Sequence, residues 1–157
     1  MSPEQFFNKY ANIAIEASVG KNIFPSVFLA QAALESAWGE STLAKKYNNF
    51  FGIKADKSWK GKKVILKTRE EYNGVSQYED AAFRVYDSPR DSFFDRTNFL
   101  VENQRYAKAG VFDSMSPEEQ ANKLKAAGYA TASNYAQSII NLINKYNLKT
   151  FDQKKKL

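Results

Sequence analysis

The stretch Ala30-Gln31-Ala32-Ala33-Leu34-Glu35-Ser36-Ala37-Trp38-Gly39 sets one carboxyl group among small and apolar residues. Pro25-Ser26 opens the same helix, which we predict to end at Gly39. Its apolar residues go nearly all the way round, so we expect a central, buried helix. Burial disfavours the charged form of a carboxyl group. Glu35 is therefore a candidate general acid, because a carboxyl that keeps its proton near neutral pH can donate it.

A purely structural interpretation of Glu35 competes with this one. A glutamate near a helix end is commonly paired with a lysine at the surface. Against that, Phe28, Gln31 and Ala32 share a helix face with Glu35, and Gln31 is the only other polar group on it,. Glutamate is rarely buried without a reason. Spacing alone leaves both interpretations open.

The whole chain of 157 residues is most simply one domain,. We place it at residues 1–150, with a basic tail over 151–157. No run of about 18 apolar residues is present, so no membrane span is expected. The first five residues open a helix and show no signal-peptide pattern,. The aromatic fraction of 15% indicates an aromatic core, a ring-lined groove, or both.

The chain contains neither cysteine nor histidine. This composition excludes disulfides, thiol nucleophiles, Ser-His or Cys-His pairs, and thiolate or imidazole zinc sites. No metal or cofactor is expected. An enzyme of this composition must draw its acid and base from Asp, Glu, Tyr or Lys. Glycoside hydrolysis is the commonest chemistry carried out by carboxyl groups alone.

The formal net charge is +6, with lysines crowded between Lys54 and Lys67 and again at Lys154-Lys155-Lys156. A basic surface suits an anionic partner such as nucleic acid, a membrane surface or a wall polymer. The alternative is a solvated surface that keeps the protein soluble. The aromatic residues follow core spacing rather than alternating with basic residues, so we expect no nucleic-acid binding.

Helical signals flank a short β-type region. Ser2-Pro3-Glu4-Gln5, Ser88-Pro89-Arg90-Asp91 and Ser116-Pro117-Glu118-Glu119 predict helix starts,. Between them, Asn73-Gly74 is a hairpin turn signal. The order helices, hairpin, helices predicts an α+β fold with a mainly helical body, a small β-hairpin lobe and a groove between them. Such a groove suits a polymer substrate.

Two acids next to the hairpin turn, Glu70 and Glu71, are either exposed charges or partners of Glu35 across the groove. Two carboxyl groups of different pKa are what glycosidic cleavage commonly requires. Tyr129 and Tyr135 lie around the start of the last helix, where they either pack in the core or contact a sugar. The segment from Asn49 to Lys54 is either a packed loop or part of the site.

These segments together resemble the bacterial glucosaminidases of glycoside hydrolase family 73, which includes autolysins and the muramidase-like domain of flagellar rod-assembly proteins. The resemblance rests on motifs in family order over roughly residues 5 to 147. They are the opening decapeptide, Asn48-Asn49-Phe50-Phe51-Gly52-Ile53-Lys54, Thr68-Arg69-Glu70 before Asn73-Gly74, Phe83-Arg84-Val85-Tyr86, and Ala127-Gly128-Tyr129-Ala130-Thr131 with Asn134-Tyr135-Ala136. Ala37 stands where the family often has glycine.

The resemblance implies a lysozyme-like fold and an endo-β-N-acetylglucosaminidase that cleaves the β-1,4 bond after N-acetylglucosamine in peptidoglycan. It implies Glu35 as catalytic acid, Glu70 as second carboxylate and Tyr129 beside the substrate. The adjacent residue, Glu71, remains an alternative candidate for the second carboxylate. Trp38, Asn49, Phe51 and Tyr135 are the expected substrate contacts.

Three alternatives remain open at this point. A lytic transglycosylase shares the fold and the single acid. A non-catalytic module would bind or assemble on peptidoglycan without cleaving it. Within hydrolysis, either Glu70 activates a water with inversion, or the N-acetyl group of the substrate attacks and is steadied by Glu70 or Tyr129. We expect a monomer acting on glycan strands at the bacterial cell wall, reached by secretion, in the periplasm, or by phage or secretion-system delivery.

Overall fold

The computed structural model describes the backbone of residues 1–156 and the side chains of residues 1–153. Seven α-helices and one hairpin follow in the order α1 (Pro3–Ser18), α2 (Pro25–Glu35), α3 (Thr42–Tyr47), β1 (Lys63–Tyr72), β2 (Val75–Arg84), α4 (Pro89–Glu102), α5 (Gln104–Lys108), α6 (Pro117–Ala126) and α7 (Tyr135–Lys145). Short 3₁₀ helices cover Val111–Asp113 and Leu148–Lys156. The predicted α+β architecture is confirmed. The sequence did not predict α5 or the 3₁₀ helices.

The three predicted helix starts are confirmed by their caps. The hydroxyl of Ser2 accepts a hydrogen bond from the amide of Gln5, whose side chain bonds back to the amide of Ser2. Ser88 and Ser116 cap α4 and α6 through their side chains. Each cap satisfies a backbone amide that has no partner inside the helix.

Helix α2 is the centre of the body, and each of its residues from Pro25 to Ala33 is buried. It ends at Glu35, four residues before the predicted end at Gly39. The hydroxyl of Ser36 donates to the carbonyl of Ala32 and accepts from the amide of Gly39, which draws the chain out of the helix. Ala37 and Trp38 then adopt positive φ angles of 49° and 59°. Glu35 consequently stands at the rim of the body.

The N-terminus of α2 is capped from the far end of the chain. Asp152 accepts hydrogen bonds of 2.7 Å from both the amide and the hydroxyl of Ser26. Phe151 is partly buried against the core. Two residues beyond the predicted boundary at position 150 thus pack on the body. The side chains of the lysines predicted as a basic tail, 154–156, lie outside the described residues.

The hairpin joins the body at its base and extends away from it. Its ten-residue strands pair antiparallel around Asn73-Gly74, both with positive φ, as the turn signal predicted. The amide of Arg84 donates to the carbonyl of Ile53 at 3.1 Å, and the amide of Ala55 donates to that of Ala82 at 2.8 Å. These bonds attach the hairpin to the loop that follows α3.

Candidate active site

A cavity of about 780 Å³ lies between the hairpin and the helical body. Five of the seven predicted site residues line it, namely Glu35, Phe51, Glu70, Tyr129 and Tyr135. They come from α2, the loop after α3, β1, the loop after α6 and the start of α7. The fold thus brings together residues that are up to 100 positions apart in sequence.

Glu35 combines a largely buried position with access to the cavity. Burial raises the pKa of its carboxyl group from 4.5 to about 7, and the nearby charge of Glu70 adds to that shift. A hydrogen bond from the hydroxyl of Tyr135 opposes part of it. At neutral pH a substantial fraction of Glu35 therefore carries a proton, as a general acid must.

Tyr135 is held in place for that contact. Its hydroxyl accepts a hydrogen bond of 2.7 Å from the side-chain amide of Gln31, one turn before Glu35 on α2. The hydroxyl therefore keeps its own proton available for the Glu35 carboxylate. Gly52 lies on another side of Glu35, and its φ of +66° suits glycine,.

Glu70 faces the cavity because of its register in β1. Its Oε1 accepts from the Lys54 ammonium at 2.7 Å, and its Oε2 accepts from the hydroxyl of Thr131 at 3.2 Å. Glu71 points to the other face, since successive side chains alternate along a strand. The backbone amide of Glu71 donates to the Thr131 hydroxyl at 3.4 Å. Between the two acids, the register favours Glu70.

Tyr129 and Tyr135 form a stacked pair with ring centroids 5.8 Å apart. Burial raises the pKa of Tyr129, and the neighbouring Arg96 cation offsets part of the rise. Arg96 is fully buried, with its guanidinium 4.2 Å from the ring centroid of Phe28. The Tyr129 hydroxyl therefore stays protonated at neutral pH. Its oxygen is buried away from the cavity, and a protonated phenol cannot serve as a base.

Phe51 is almost fully buried, yet it lines the cavity. Its ring packs at 5.4 Å against Phe28 and at 4.9 Å against Phe93. With only 4% of its surface accessible, the ring supports the cavity wall from behind and offers little area to a ligand.

Two predicted substrate contacts lie away from the cavity. Trp38 packs against Phe6, Phe7 and Tyr146, with ring centroids 5.4 to 5.7 Å apart. This packing follows from the early end of α2, because the left-handed turn directs Trp38 back to α1. Trp38 is partly buried against the core and does not line the cavity, so its predicted contact with substrate stays a prediction.

Asn49 is the second residue whose placement differs from the prediction. Its amide nitrogen donates to the carbonyls of Ile53 and Arg84 at 3.0 and 2.9 Å, and its amide oxygen accepts from the amides of Phe51 and Ile53. Every polar atom of this buried side chain is thus bonded to backbone. Asn49 fastens the base of the hairpin to the loop that carries Phe51.

Sequence reasoning did not assign a role to Thr131 or Arg105. Thr131 stood within a quoted motif, but no local pattern shows that its hydroxyl reaches a hairpin 60 residues away. Arg105 lies on a helix that the sequence did not predict. Within the described residues, no group of three or more acidic side chains is placed to hold a metal ion.

The chain matches the glucosaminidase family, described as mannosyl-glycoprotein endo-beta-N-acetylglucosaminidase, over residues 11–148. A peptidoglycan hydrolase FlgJ from Vibrio parahaemolyticus is 39% identical over 147 residues, which cover 92% of this chain and 47% of that protein. A probable N-acetylmuramidase from Lactococcus lactis subsp. cremoris is 37% identical over 157 residues, covering 96% and 35%. The catalytic domain of the autolysin Auto from Listeria monocytogenes superposes with a TM-score of 0.79 at 33% identity, covering 97% and 90%.

This chain belongs to the glucosaminidase family, and the resemblance seen in the sequence is confirmed. It spans less than half the length of the two relatives cited above. No helix in the described part of the chain is long and apolar enough to cross a membrane.

Proposed function

We propose that this chain is a peptidoglycan hydrolase that cleaves glycan strands at the β-1,4 bond after N-acetylglucosamine, in endo fashion. The observation that carries the proposal is the raised pKa of Glu35 at the edge of a cavity that also presents Glu70. Such a pair provides one carboxyl that holds its proton and one ion-paired carboxylate,. Family membership supports the substrate class.

In the proposed reaction, Glu35 donates its proton to the glycosidic oxygen as the bond to the anomeric carbon breaks. Glu70 takes a proton from a water that attacks the same carbon from the opposite face, which inverts its configuration. Tyr129 lines the cavity with part of its side chain, while its hydroxyl is buried beside Arg96, so we assign it to shaping the wall next to the sugar. Phe51 supports the wall of the cavity beside the sugar.

The Lys54 ammonium and the Thr131 hydroxyl hold Glu70 in this arrangement. Both of its oxygens are bonded, which limits the rotation of its side chain toward solvent. Glu35 and Glu70 of the same chain line one cavity, and we propose that the protein acts as a monomer. Action at the bacterial cell wall follows from the substrate.

The products of digestion test the proposal. We expect purified peptidoglycan treated with the wild-type protein to yield fragments that have gained one water and end in a reducible N-acetylglucosamine. Borohydride reduction followed by mass spectrometry identifies that end. A reducible N-acetylmuramic acid would assign the other bond, the one that the name of the Lactococcus relative implies. An anhydro end would indicate a lytic transglycosylase.

The same digest separates two finer points. Long fragments early in the reaction indicate endo cleavage, whereas a steady release of disaccharides indicates exo cleavage. The anomeric configuration of the first product, followed by nuclear magnetic resonance, separates inversion from attack by the N-acetyl group, which retains configuration. Inversion is the expected outcome because Glu70 is held at the cavity by two hydrogen bonds.

A further inference from the structure

The side chain of Arg105 lines the cavity from helix α5, where it is exposed to solvent. Its Nη2 donates a hydrogen bond of 2.8 Å to the hydroxyl of Tyr106. Tyr106 is fully buried, so its hydroxyl is a fixed point on the body. The guanidinium is therefore oriented before any ligand arrives, although one edge of it stays open to the cavity.

The three basic residues of the cavity differ in what holds them. Lys54 is paired with Glu70 at 2.7 Å. Arg69 donates to the hydroxyl of Ser76 at 2.9 Å on the hairpin. Neither Arg69 nor Arg105 takes part in an ion pair within residues 1–153. Arg69 is bonded to a residue of its own hairpin, whereas Arg105 is bonded to a fully buried tyrosine of the body. Arg105 is thus a cation of the cavity wall that is anchored to the body and that no acid of the described chain neutralises.

A guanidinium presents its donors in a planar fork that matches a carboxylate. Peptidoglycan offers carboxylates in two places. The lactyl ether of muramic acid has one where no peptide is attached, and the peptide stem has others where one is. The uncharged amino-sugar chain has none. A cation oriented in the cavity wall would therefore distinguish the wall polymer from a neutral glycan of the same backbone.

We propose that Arg105 binds a carboxylate of the bound glycan and makes the cavity selective for anionic strands, an inference that rests on the proposed function. Arg105 acts here as a specificity residue and takes no part in bond cleavage. Glu35 and Glu70 act on the glycosidic bond, whereas Arg105 recognises a substituent of a sugar. Its effect belongs in substrate binding and is expected mainly in KM.

The test compares Arg105→Gln with the wild type on three soluble substrates of matched length. The first is glycan strands with peptide stems. The second is strands freed of stems by an amidase, which carry lactyl carboxylates. The third is the same stem-free strands after their lactyl carboxylates are coupled to methylamine, which removes the negative charge and keeps the shape. We expect kcat/KM to fall roughly tenfold on an anionic substrate, mainly through KM, and less than about twofold on the amidated strands.

The two anionic substrates identify the source of the carboxylate. A loss on stem-free strands alone assigns the lactyl group, and a loss on stem-bearing strands alone assigns the stem. A loss on both means that each offers a carboxylate within reach of Arg105. Equal losses on all three substrates, or no loss on any, would overturn the proposal.

Two variants exclude trivial causes. Arg105→Lys keeps the charge without the fork, so we expect it to restore part of the selectivity. Arg90→Gln removes one positive charge that is paired with Glu16 outside the cavity, and it should leave selectivity unchanged. Circular dichroism and thermal melting confirm that each variant is folded.

Binding separates this proposal from the proposed function. Affinities for the anionic and amidated strands are measured by calorimetry with Glu35→Gln and with Glu35→Gln combined with Arg105→Gln. If the wild type cleaved none of the substrates, the hydrolase proposal would fail. Arg105 would still be judged by whether its removal abolishes the preference for the anionic strand. An unchanged preference in the double variant would refute its role.

Discussion

The helical body and the hairpin each contribute one carboxyl group to the cavity, and they control it by different means. Glu35 ends a helix whose preceding residues are almost all buried, so its proton affinity is set by desolvation,. Glu70 lies on a two-stranded sheet with much of its surface exposed, where Ile65 and Tyr78 are 68% and 71% accessible. Its position depends on strand register and on two side-chain partners from outside the hairpin.

This difference leads to different expectations for mutations in the two regions. Changes in the body should alter proton affinity and stability together, because both arise from burial. Changes in the hairpin should alter the placement of Glu70 with little effect on stability, since a lone hairpin contributes few buried contacts. The predictions below test that contrast from the largest expected effect to the smallest.

Removing the buried acid should have the largest effect. We expect Glu35→Gln to reduce hydrolysis of purified peptidoglycan by about 10²–10⁴-fold, the usual contribution of a general acid. The matched control is Glu40→Gln, which removes an exposed glutamate paired with Lys45 and should retain wild-type activity. Near wild-type activity in Glu35→Gln would eliminate the catalytic assignment.

Removing the hairpin carboxylate should cost somewhat less. We expect Glu70→Gln to lower kcat by about 10²–10³-fold, within the range for loss of a general base. Glu71→Gln is its control, because the neighbouring side chain points to the other face of the strand, and about a twofold change at most is expected. A larger loss in Glu71→Gln than in Glu70→Gln would reverse the assignment made from register.

The dependence of activity on pH links the two regions. Glu35 must be protonated to act, so kcat/KM should fall about tenfold for each pH unit above a pKa of about 7,. The charge of Glu70 contributes to that raised pKa. Its removal should therefore move the alkaline limb of the profile of Glu70→Gln to lower pH. Glu71→Gln should leave the limb in place, and equal movement in both variants would contradict the pairing.

The buried acid should also cost stability. The pKa of Glu35 is raised from 4.5 to about 7 on folding, so the folded state binds its proton more tightly than the unfolded state does. The stability that the wild type gains from this tighter proton binding is complete below pH 4.5 and is lost as the pH rises through about 7,. We expect the free energy of unfolding of Glu35→Gln, relative to that of the wild type, to rise by about 1–3 kcal/mol between pH 4 and pH 8. Urea unfolding of both proteins at pH 4 and pH 8 measures this change. An equal difference in stability at the two pH values would refute the raised pKa of Glu35 as its cause.

The contacts that hold Glu70 should have the smallest effect. Thr131→Val removes the hydroxyl that bonds Glu70 and keeps the shape, and we expect activity to fall about two- to tenfold. Unfolding in urea should change little. Thr150→Val, outside the cavity, is the control. A loss of stability larger than the loss of activity would mean that Thr131 supports the fold more than the site.

Local signals predicted the elements well and the junctions poorly. The capping residues and the Asn73-Gly74 turn predicted three helix starts and the hairpin, because each acts on backbone groups a few positions away. The end of α2 was predicted four residues too far along. A glycine at position 39 is a typical helix stop, but the hydroxyl of Ser36 competes for backbone groups first.

The predicted site residues divide in the same way. Glu35 was found from its apolar neighbours and Glu70 from the family resemblance. Trp38 and Asn49 were placed in the site because they lie within the same motifs. The Trp38 side chain packs against α1. The Asn49 side chain bonds to backbone groups. A motif marks a segment that a fold needs, and it does not separate residues that contact a ligand from those that support them.

By itself the sequence determined that any acid–base chemistry here falls to carboxyl groups, phenols or lysine amines, since histidine and cysteine are absent. It also determined an α+β order and a helix too apolar to lie at the surface. The tertiary structure decided which of two adjacent glutamates faces the cavity, which hydroxyl reaches Glu70 from 61 positions away, and which arginine of the cavity wall is anchored to the body. Those outcomes depend on strand register and on packing between distant segments, which no local pattern encodes.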